Sequence, residues 1–345
     1  MKLMSFNCRG LAGPVKKSAF IRVVTLEHPD VILLQETLGV GDVIKERLES
    51  WLPGWSFVTL DARGRSGGLA VGWRNCCVKL ANAWGLDSVL GVEIFSDELG
   101  ITLSVINVYG PYVNRPTFWD SLLQNPMVTG DSLILGGDFN FSLGQSEVWG
   151  PRAHADSLSG YFVQKLMEKG LLDIEPVKLR PTWRNNRSGD ARVAKRIDRF
   201  LVSEQLVDRF FLVRQWVGSG GHSDHFPIFF EIKKGPLNPP SPLKFNKTWL
   251  QDETFKTLFL THWRPIVEEN ERSAAYQFAD NIKRLKVVIK GWAANKRRRE
   301  DAELNQLEID LMEIYEGEGG GYTSQESKEA LIKLEGRRNT LILER

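Results

Sequence analysis

Cysteine is scarce in this chain: Cys8, Cys76 and Cys77 are the only three among 345 residues, and two of them are adjacent. That odd count provides neither a disulfide framework nor a zinc-binding spacing, which points to a reducing compartment. Long hydrophobic runs are missing too. None approaches the roughly 18 residues that cross a bilayer, and Met1-Lys2-Leu3-Met4-Ser5-Phe6-Asn7 has no apolar centre of a secretory signal. The expected location is nuclear or cytoplasmic, neither secreted nor membrane-bound. Charge of one sign is absent: 45 basic residues meet 43 acidic ones, for a net charge of +2. Any attraction for nucleic acid must come from local clusters. No internal repeat is convincing. What is present, 42% hydrophobic and 26% charged residues, describes a globular protein with room for one large domain or two ordinary ones.

Up to about Lys234, short apolar runs alternate with helical patterns. Strands are expected at Lys2–Asn7, Val31–Gln35, Gly67–Trp73, Ile101–Tyr109, Ser132–Gly137, Ile197–Val202 and Phe226–Ile232. Helices are expected near Val15–Glu27, Gly41–Trp51, Arg115–Gln124 and Leu158–Lys169. The mixture implies an α/β fold of sheets layered with helices. Polar residues recur at strand ends: Asn7, Glu36, Tyr109 and Asp138. Side chains so placed converge on one rim above a rigid base.

Four prolines between Gly235 and Pro242 then interrupt all regular structure. Beyond them Leu285, Val288, Ile289 and Trp292 mark an amphipathic face. Leu304, Leu307, Leu311 and Ile314 form a seam two heptads long, and Leu331, Leu334 and Leu341 offer a return helix. The expected division is a domain at 1–234, a Pro-rich arm at 235–250 and a helical extension at 251–345 with a coiled-coil hairpin. That hairpin provides a possible coiled-coil or intramolecular contact.

Chemistry concentrates in two signatures, Gly136-Gly137-Asp138-Phe139-Asn140 and Gly221-His222-Ser223-Asp224-His225-Phe226-Pro227. Asp138 can take a proton from water while Asn140 holds that Asp or a phosphate; the same spacing also makes an Asx turn. An Asp-His pair directly before an apolar strand can hold a metal or set an imidazolium beside a phosphate. Asp198, in Arg196-Ile197-Asp198-Arg199, can bond one ring nitrogen of His225 and favour its charged form, or form a surface ion pair. Glu36 suits a hard cation such as Mg²⁺. Tyr109 can reach a phosphate oxygen or edge the core. Arg180, Arg184, Arg187, Arg192, Lys195, Arg196 and Arg199 surround Trp183, a pattern able to track a DNA backbone and wedge at bases. A second basic cluster runs from Lys283 to Arg299.

Asn7, Gln35-Glu36, Tyr109, Gly137-Asp138-Phe139-Asn140, Asp198 and Ser223-Asp224-His225 occur in this order at strand ends. Jointly they resemble the endonuclease/exonuclease/phosphatase superfamily over roughly residues 1–234. Phe6-Asn7-Cys8-Arg9-Gly10-Leu11, Pro181-Thr182-Trp183-Arg184-Asn185 and Arg196-Ile197-Asp198-Arg199-Phe200-Leu201 are similar to the endonuclease domain of plant LINE-type non-LTR retrotransposons, and Phe245-Asn246-Lys247-Thr248-Trp249-Leu250 resembles the segment such proteins carry between endonuclease and reverse transcriptase. No polymerase motif follows, so a truncated or isolated reading frame is expected. The resemblance implies a four-layer α/β sandwich of two mixed sheets flanked by helices, with the helical extension after it. It implies Mg²⁺, with Mn²⁺ as a substitute, held by Glu36 with Asn7 and Asp224. Asp138 with Asn140 would activate water, His225 held by Asp198 would contact the phosphate, and Tyr109 would assist. DNA is the implied partner, contacted by Arg9, Trp183, Arg184 and Arg196, and no membrane is involved. Arg9 departs from the acidic or amide residue of many relatives and cannot ligate metal, which puts a second metal site in question. The rivals are an inactive nucleic-acid-binding remnant and a phosphodiesterase or phosphatase of abasic DNA or RNA.

Overall fold

Every strand read from the sequence is present in the computed structural model, within two residues of its expected bounds. The structure describes residues 1–63, 66–151, 154–185, 187, 191–210, 212–218, 222–234, 246–267, 273–317 and 325–344. The strands build two six-stranded mixed sheets. The first runs in the order Leu212–Val217, Ile228–Lys233, Lys2–Asn7, Val31–Gln35, Ser66–Arg74, Trp55–Arg63. The second runs Leu171–Asp173, Asp198–Ser203, Leu133–Asp138, Ile101–Tyr109, Val89–Ser96, Val78–Leu86. A small third sheet joins Trp183–Arg184, Ala194–Lys195 and Val148–Trp149.

Alternation along the central strands explains the layering. Leu3, Leu33, Val71, Val105, Ile134, Phe200 and Phe230 meet in the core between the sheets. The intervening Met4, Ile32, Leu34 and Ala70 face outward onto Phe20, Val24, Ile44 and Leu48 of helices Pro14–Glu27 and Gly41–Trp51. Across the molecule Ile106, Val108, Leu135 and Leu201 pack on Trp119, Leu122, Phe162 and Leu166 of helices Arg115–Gln124 and Ser159–Lys169. The four layers are therefore helix, sheet, sheet, helix, as the resemblance implied.

Direction sets the site. Lys2–Asn7 pairs parallel with Val31–Gln35, and Ile101–Tyr109 pairs parallel with Leu133–Asp138. All four strands end at one edge. Asp198 begins the antiparallel neighbour directly opposite Asp138, and the chain at His225 enters a strand antiparallel to Lys2–Asn7. Gly137 makes the parallel pair possible: at φ +154°, a Cβ there would lie 1.9 Å from Val108 O. Beneath the rim, Gln35 Nε2 donates to Asn107 Oδ1 at 2.6 Å, and Asn107 Nδ2 donates to Leu34 O and Ala70 O at 2.9 and 3.0 Å. These bonds satisfy buried polar groups and tie the two sheets in one register.

The chain divides into two compact units, Met1–Leu237 with Tyr315–Ser327, and Asn238–Ile314 with Lys328–Arg345. In the second unit, Trp249, Phe255, Leu285, Ile289 and Trp292 form a separate core. Helices Glu253–His262, Ala274–Gly317 and Gln325–Glu344 supply most of the unit's residues. Leu307, Leu311 and Leu341 are buried, and Arg337 Nε donates to Glu303 Oε1 at 2.7 Å. Most of the expected Pro-rich arm, 235–245, lies outside the described residues, as does Gly221. Among the described residues, no helix is long and apolar enough to cross a membrane.

Candidate active site

Asn7 is fully buried and joins the two sheets at the rim. Its Nδ2 donates to Glu36 Oε1 and to Asp138 Oδ2, both at 2.9 Å. Glu36 follows its strand in a left-handed conformation, φ +51°, which turns the chain away just as the carboxylate reaches the rim. Arg9, Leu38 and Asn140 share that unusual conformation. Such strain in non-glycine residues persists where neighbours hold it, and it gathers at functional sites. Asn140 N donates to Asp138 Oδ1 at 3.1 Å, and its Nδ2 donates to Gly110 O at 2.6 Å. The Asx turn and the functional placement are here one structure.

His225 is 1% exposed, between two carboxylates. Nδ1 lies 2.9 Å from Asp198 Oδ2, and Nε2 lies 3.7 Å from Asp138 Oδ2. Burial alone would lower the imidazole pKa, but Asp198 and then Asp138 outweigh it and push it up to about 9. Burial likewise drives Asp138 up to about 7, against the opposing pull of His225. Among the described residues, two buried atoms of this site have no hydrogen-bond partner, His225 Nε2 and Asn140 Oδ1. They are a donor and an acceptor awaiting a polar ligand. Tyr109 edges the same space, half-buried; burial and the charge of Glu36 hold its hydroxyl well above the usual phenol range.

Asp224 is held rather than free. Its Oδ2 accepts from Arg9 Nη1 at 2.9 Å and from Trp183 Nε1 at 3.1 Å. Ser223 Oγ ties this loop to Asn7 O at 2.8 Å. The Pro-Thr-Trp segment supports it from behind. Thr182 Oγ1 accepts from Ile197 N and Asp198 N at 3.0 and 2.9 Å, while Thr182 O accepts from Phe226 N at 2.7 Å. Arg184 N donates to Asp224 O at 3.1 Å. Thr182 thus sets both halves of the Asp198–His225 pair. In the sequence its basic and aromatic neighbours point instead to a nucleic-acid contact, which hides this role.

The basic cluster around Asp198 requires a correction. Arg196 is 1% exposed and binds Asp173 and Glu147 at 2.5–2.8 Å; Arg199 binds the same two carboxylates. Arg184 is 6% exposed, with its guanidinium over the Phe226 ring. Arg184 and Arg196 are therefore interior residues rather than DNA contacts, since a guanidinium held in the interior has nothing to offer a phosphate. Trp183 is partly exposed and donates its indole N–H to Asp224. Arg9 is 46% exposed along its side chain and remains at the surface of the rim.

A divalent ion fits this donor set. Asp138, Asp198 and His225 place ligand atoms within 4.8 Å of one another, but Asp198 is already committed to the imidazole. Glu36 and Asn7 provide oxygens of the kind hard cations prefer. Among the described residues, Arg9 lies within ion-pair distance of Glu36 and Asp224, and His225 of Asp138 and Asp198. Carboxylates outnumber cations at the rim, which favours uptake of a cation.

The chain is similar to known proteins over about two thirds of its length. A 149 kDa transposon TX1 protein of Xenopus laevis is 25% identical over 257 residues, which is 70% of this chain and 19% of that protein. The chain thus spans about a fifth of that relative's length. An exodeoxyribonuclease of Bacillus subtilis is 26% identical, over 66% of this chain and 98% of its own. Among solved structures, the endonuclease domain of TRAS1, a telomere-specific non-LTR retrotransposon, shares the fold with a TM-score of 0.52 at 17% identity, covering 67% of this chain and 97% of that one. The 3′ phosphatase NExo from Neisseria, bound to a product DNA hairpin, does so with a TM-score of 0.54 at 23% identity, covering 68% and 99%. Residues 4–225 match the Endonuclease/Exonuclease/phosphatase family, to which this chain belongs.

Proposed function

We propose that this protein is a Mg²⁺-dependent endonuclease of retrotransposon type that nicks duplex DNA, with Mn²⁺ able to replace Mg²⁺. The observation that carries the reading is the aim of His225. Its Nδ1 is fixed by Asp198, and its Nε2, without a hydrogen-bond partner among the described residues, lies 3.7 Å from Asp138 Oδ2, whose other oxygen accepts from Asn140 N. A phosphodiester there meets an imidazolium able to donate to a non-bridging oxygen as charge develops. Asp138 accepts the proton of the attacking water, and Asn140 holds that water or the phosphate. Tyr109 borders the phosphate with a hydroxyl that stays protonated. Glu36 and Asn7 would hold a divalent ion, whose charge would offset that of the transition state. The similarity to a transposon protein and to DNA-acting nucleases supports DNA as substrate, and groove shape and deformability would then guide the target.

Purified protein should convert supercoiled plasmid to the relaxed form with Mg²⁺ and stop when the ion is chelated. His225→Ala and Asp138→Ala should each lose about a hundredfold or more in rate. Equal nicking by all three proteins removes the assignment. Abasic duplex, RNA and 3′-phosphorylated DNA in the same assay identify the substrate.

A further inference from the structure

Arg9 stands where the chain leaves its first strand, in the left-handed conformation at φ +44°. That conformation is uncommon outside glycine, and its neighbours fix it here. Arg9 N donates to Asn7 Oδ1 at 3.2 Å. Lys16 Nζ donates to the carbonyls of Cys8, Arg9 and Gly10 and ties down the turn. The turn sends the side chain back over the rim. Nη1 donates to Asp224 Oδ2 at 2.9 Å, and Nε lies 4.0 Å from Glu36 Oε2. A single guanidinium thus spans carboxylates from two distant loops. Trp183 Nε1 donates to the same Asp224 oxygen and keeps that carboxylate facing the arginine.

Charge makes this placement consequential. Arg9 is the cation that neighbours both Glu36 and Asp224, and without it their flank lies open to a further positive charge. A guanidinium is always charged and cannot ligate metal, so it supplies charge to Asp224 and Glu36 while denying a second ion their shared flank.

We propose that Arg9 is a built-in cation occupying the flank between Glu36 and Asp224, so that the protein takes up a single divalent ion, on the side of Glu36 and Asn7. Arg9 is here a positioning residue: it orients Asp224 and sets the stoichiometry of the site. The inference rests on the metal-dependent reading above, but its test counts ions rather than cleavage.

The experiment titrates the full chain with Mn²⁺ and measures free ion by electron paramagnetic resonance. Arg9→Asn is the informative variant, because Asn tolerates a left-handed backbone and replaces the cation by an oxygen donor. One bound ion in the wild type and two in Arg9→Asn support the proposal, with Arg9→Lys remaining at one. Any other count in the wild type or Arg9→Asn overturns it, including two ions in the wild type. Asp224→Asn provides a second reading should Arg9→Asn fold poorly: it should retain one ion, and loss of that ion overturns the proposal. A protein that binds one ion yet cuts no DNA defeats the nuclease reading alone.

Discussion

Histidine 225 carries the electrostatic argument of the site in one side chain. Burial disfavours its imidazolium, and the flanking carboxylates more than offset that penalty, raising the pKa to about 9 from an ordinary 6.5. Because the folded value is raised, the pair's contribution to stability is complete below pH 6.5 and is lost as pH rises through about 9. Nuclear magnetic resonance titration of the metal-free protein should find the imidazole protonated at neutral pH. Asp198→Asn should bring its titration down, toward or below the ordinary value. An unchanged midpoint would show that Asp198 does not govern the ring. Glu147 carries a comparable load out of sight of the sequence. It sits between the interior guanidiniums of Arg196 and Arg199, and Arg199 then Arg196 hold its carboxyl below the usual range despite its burial. Glu147→Ala leaves two buried charges short of a partner and should cost about 3–5 kcal/mol in a denaturant melt. The sequence displays those arginines as a basic cluster. It has no local sign that Glu147 and Asp173, many residues away, neutralise them.

Strand ends explain how much of the site is legible in the sequence. Asn7, Glu36, Tyr109 and Asp138 each close an apolar run long enough to be recognised, so their convergence follows from parallel pairing. Other strands are harder. Val78–Leu86 is mostly exposed and carries a bulge near Asn82, so neither periodicity nor hydrophobicity marks it. Leu212–Val217 is an edge strand with Arg214 and Gln215 at its centre. Gly91 in Val89–Ser96 weakens the apolar pattern, yet the ring of Trp84 across the ladder covers it. Thr182 is illegible as a support because its work is done through backbone groups of a different segment. Thr182→Val would strip the acceptor from two buried N–H groups, at about 1–3 kcal/mol. Nicking should fall with it, because Asp198 loses its fixed start. The sharpest element-level prediction concerns Gly137, whose Cβ has no room beside Val108 O. Gly137→Ala should separate the parallel pair, lower stability by more than about 4 kcal/mol and abolish nicking. A calorimetric melt that matches the wild type would refute this account of the strand pair.

At the scale of the whole chain, the cores divide more cleanly than the sequence does. The three clusters of the layered unit draw on residues from Met1 to Ile232, whereas the cluster at Trp249 and Trp292 lies wholly among residues 249–292. Every residue assigned to the rim precedes Ile228. The second unit has its own fastening: Trp292 Nε1 donates to Thr254 Oγ1 at 3.0 Å, and Lys296 Nζ donates to Asp252 Oδ2 at 2.9 Å. A unit with its own core and its own polar ties can fold alone. We therefore expect a chain ending at Lys234 to keep a cooperative melt and to nick plasmid at the rate of the full protein. Trp292→Ala in the full chain should destabilise the helical unit by about 3–5 kcal/mol while leaving the nicking rate unchanged. A shortened chain that melts early or loses activity would assign residues beyond Lys234 a share in holding the layered unit. Intact activity in both proteins would instead place the whole of the chemistry in the layered unit and leave the helical one for a separate task.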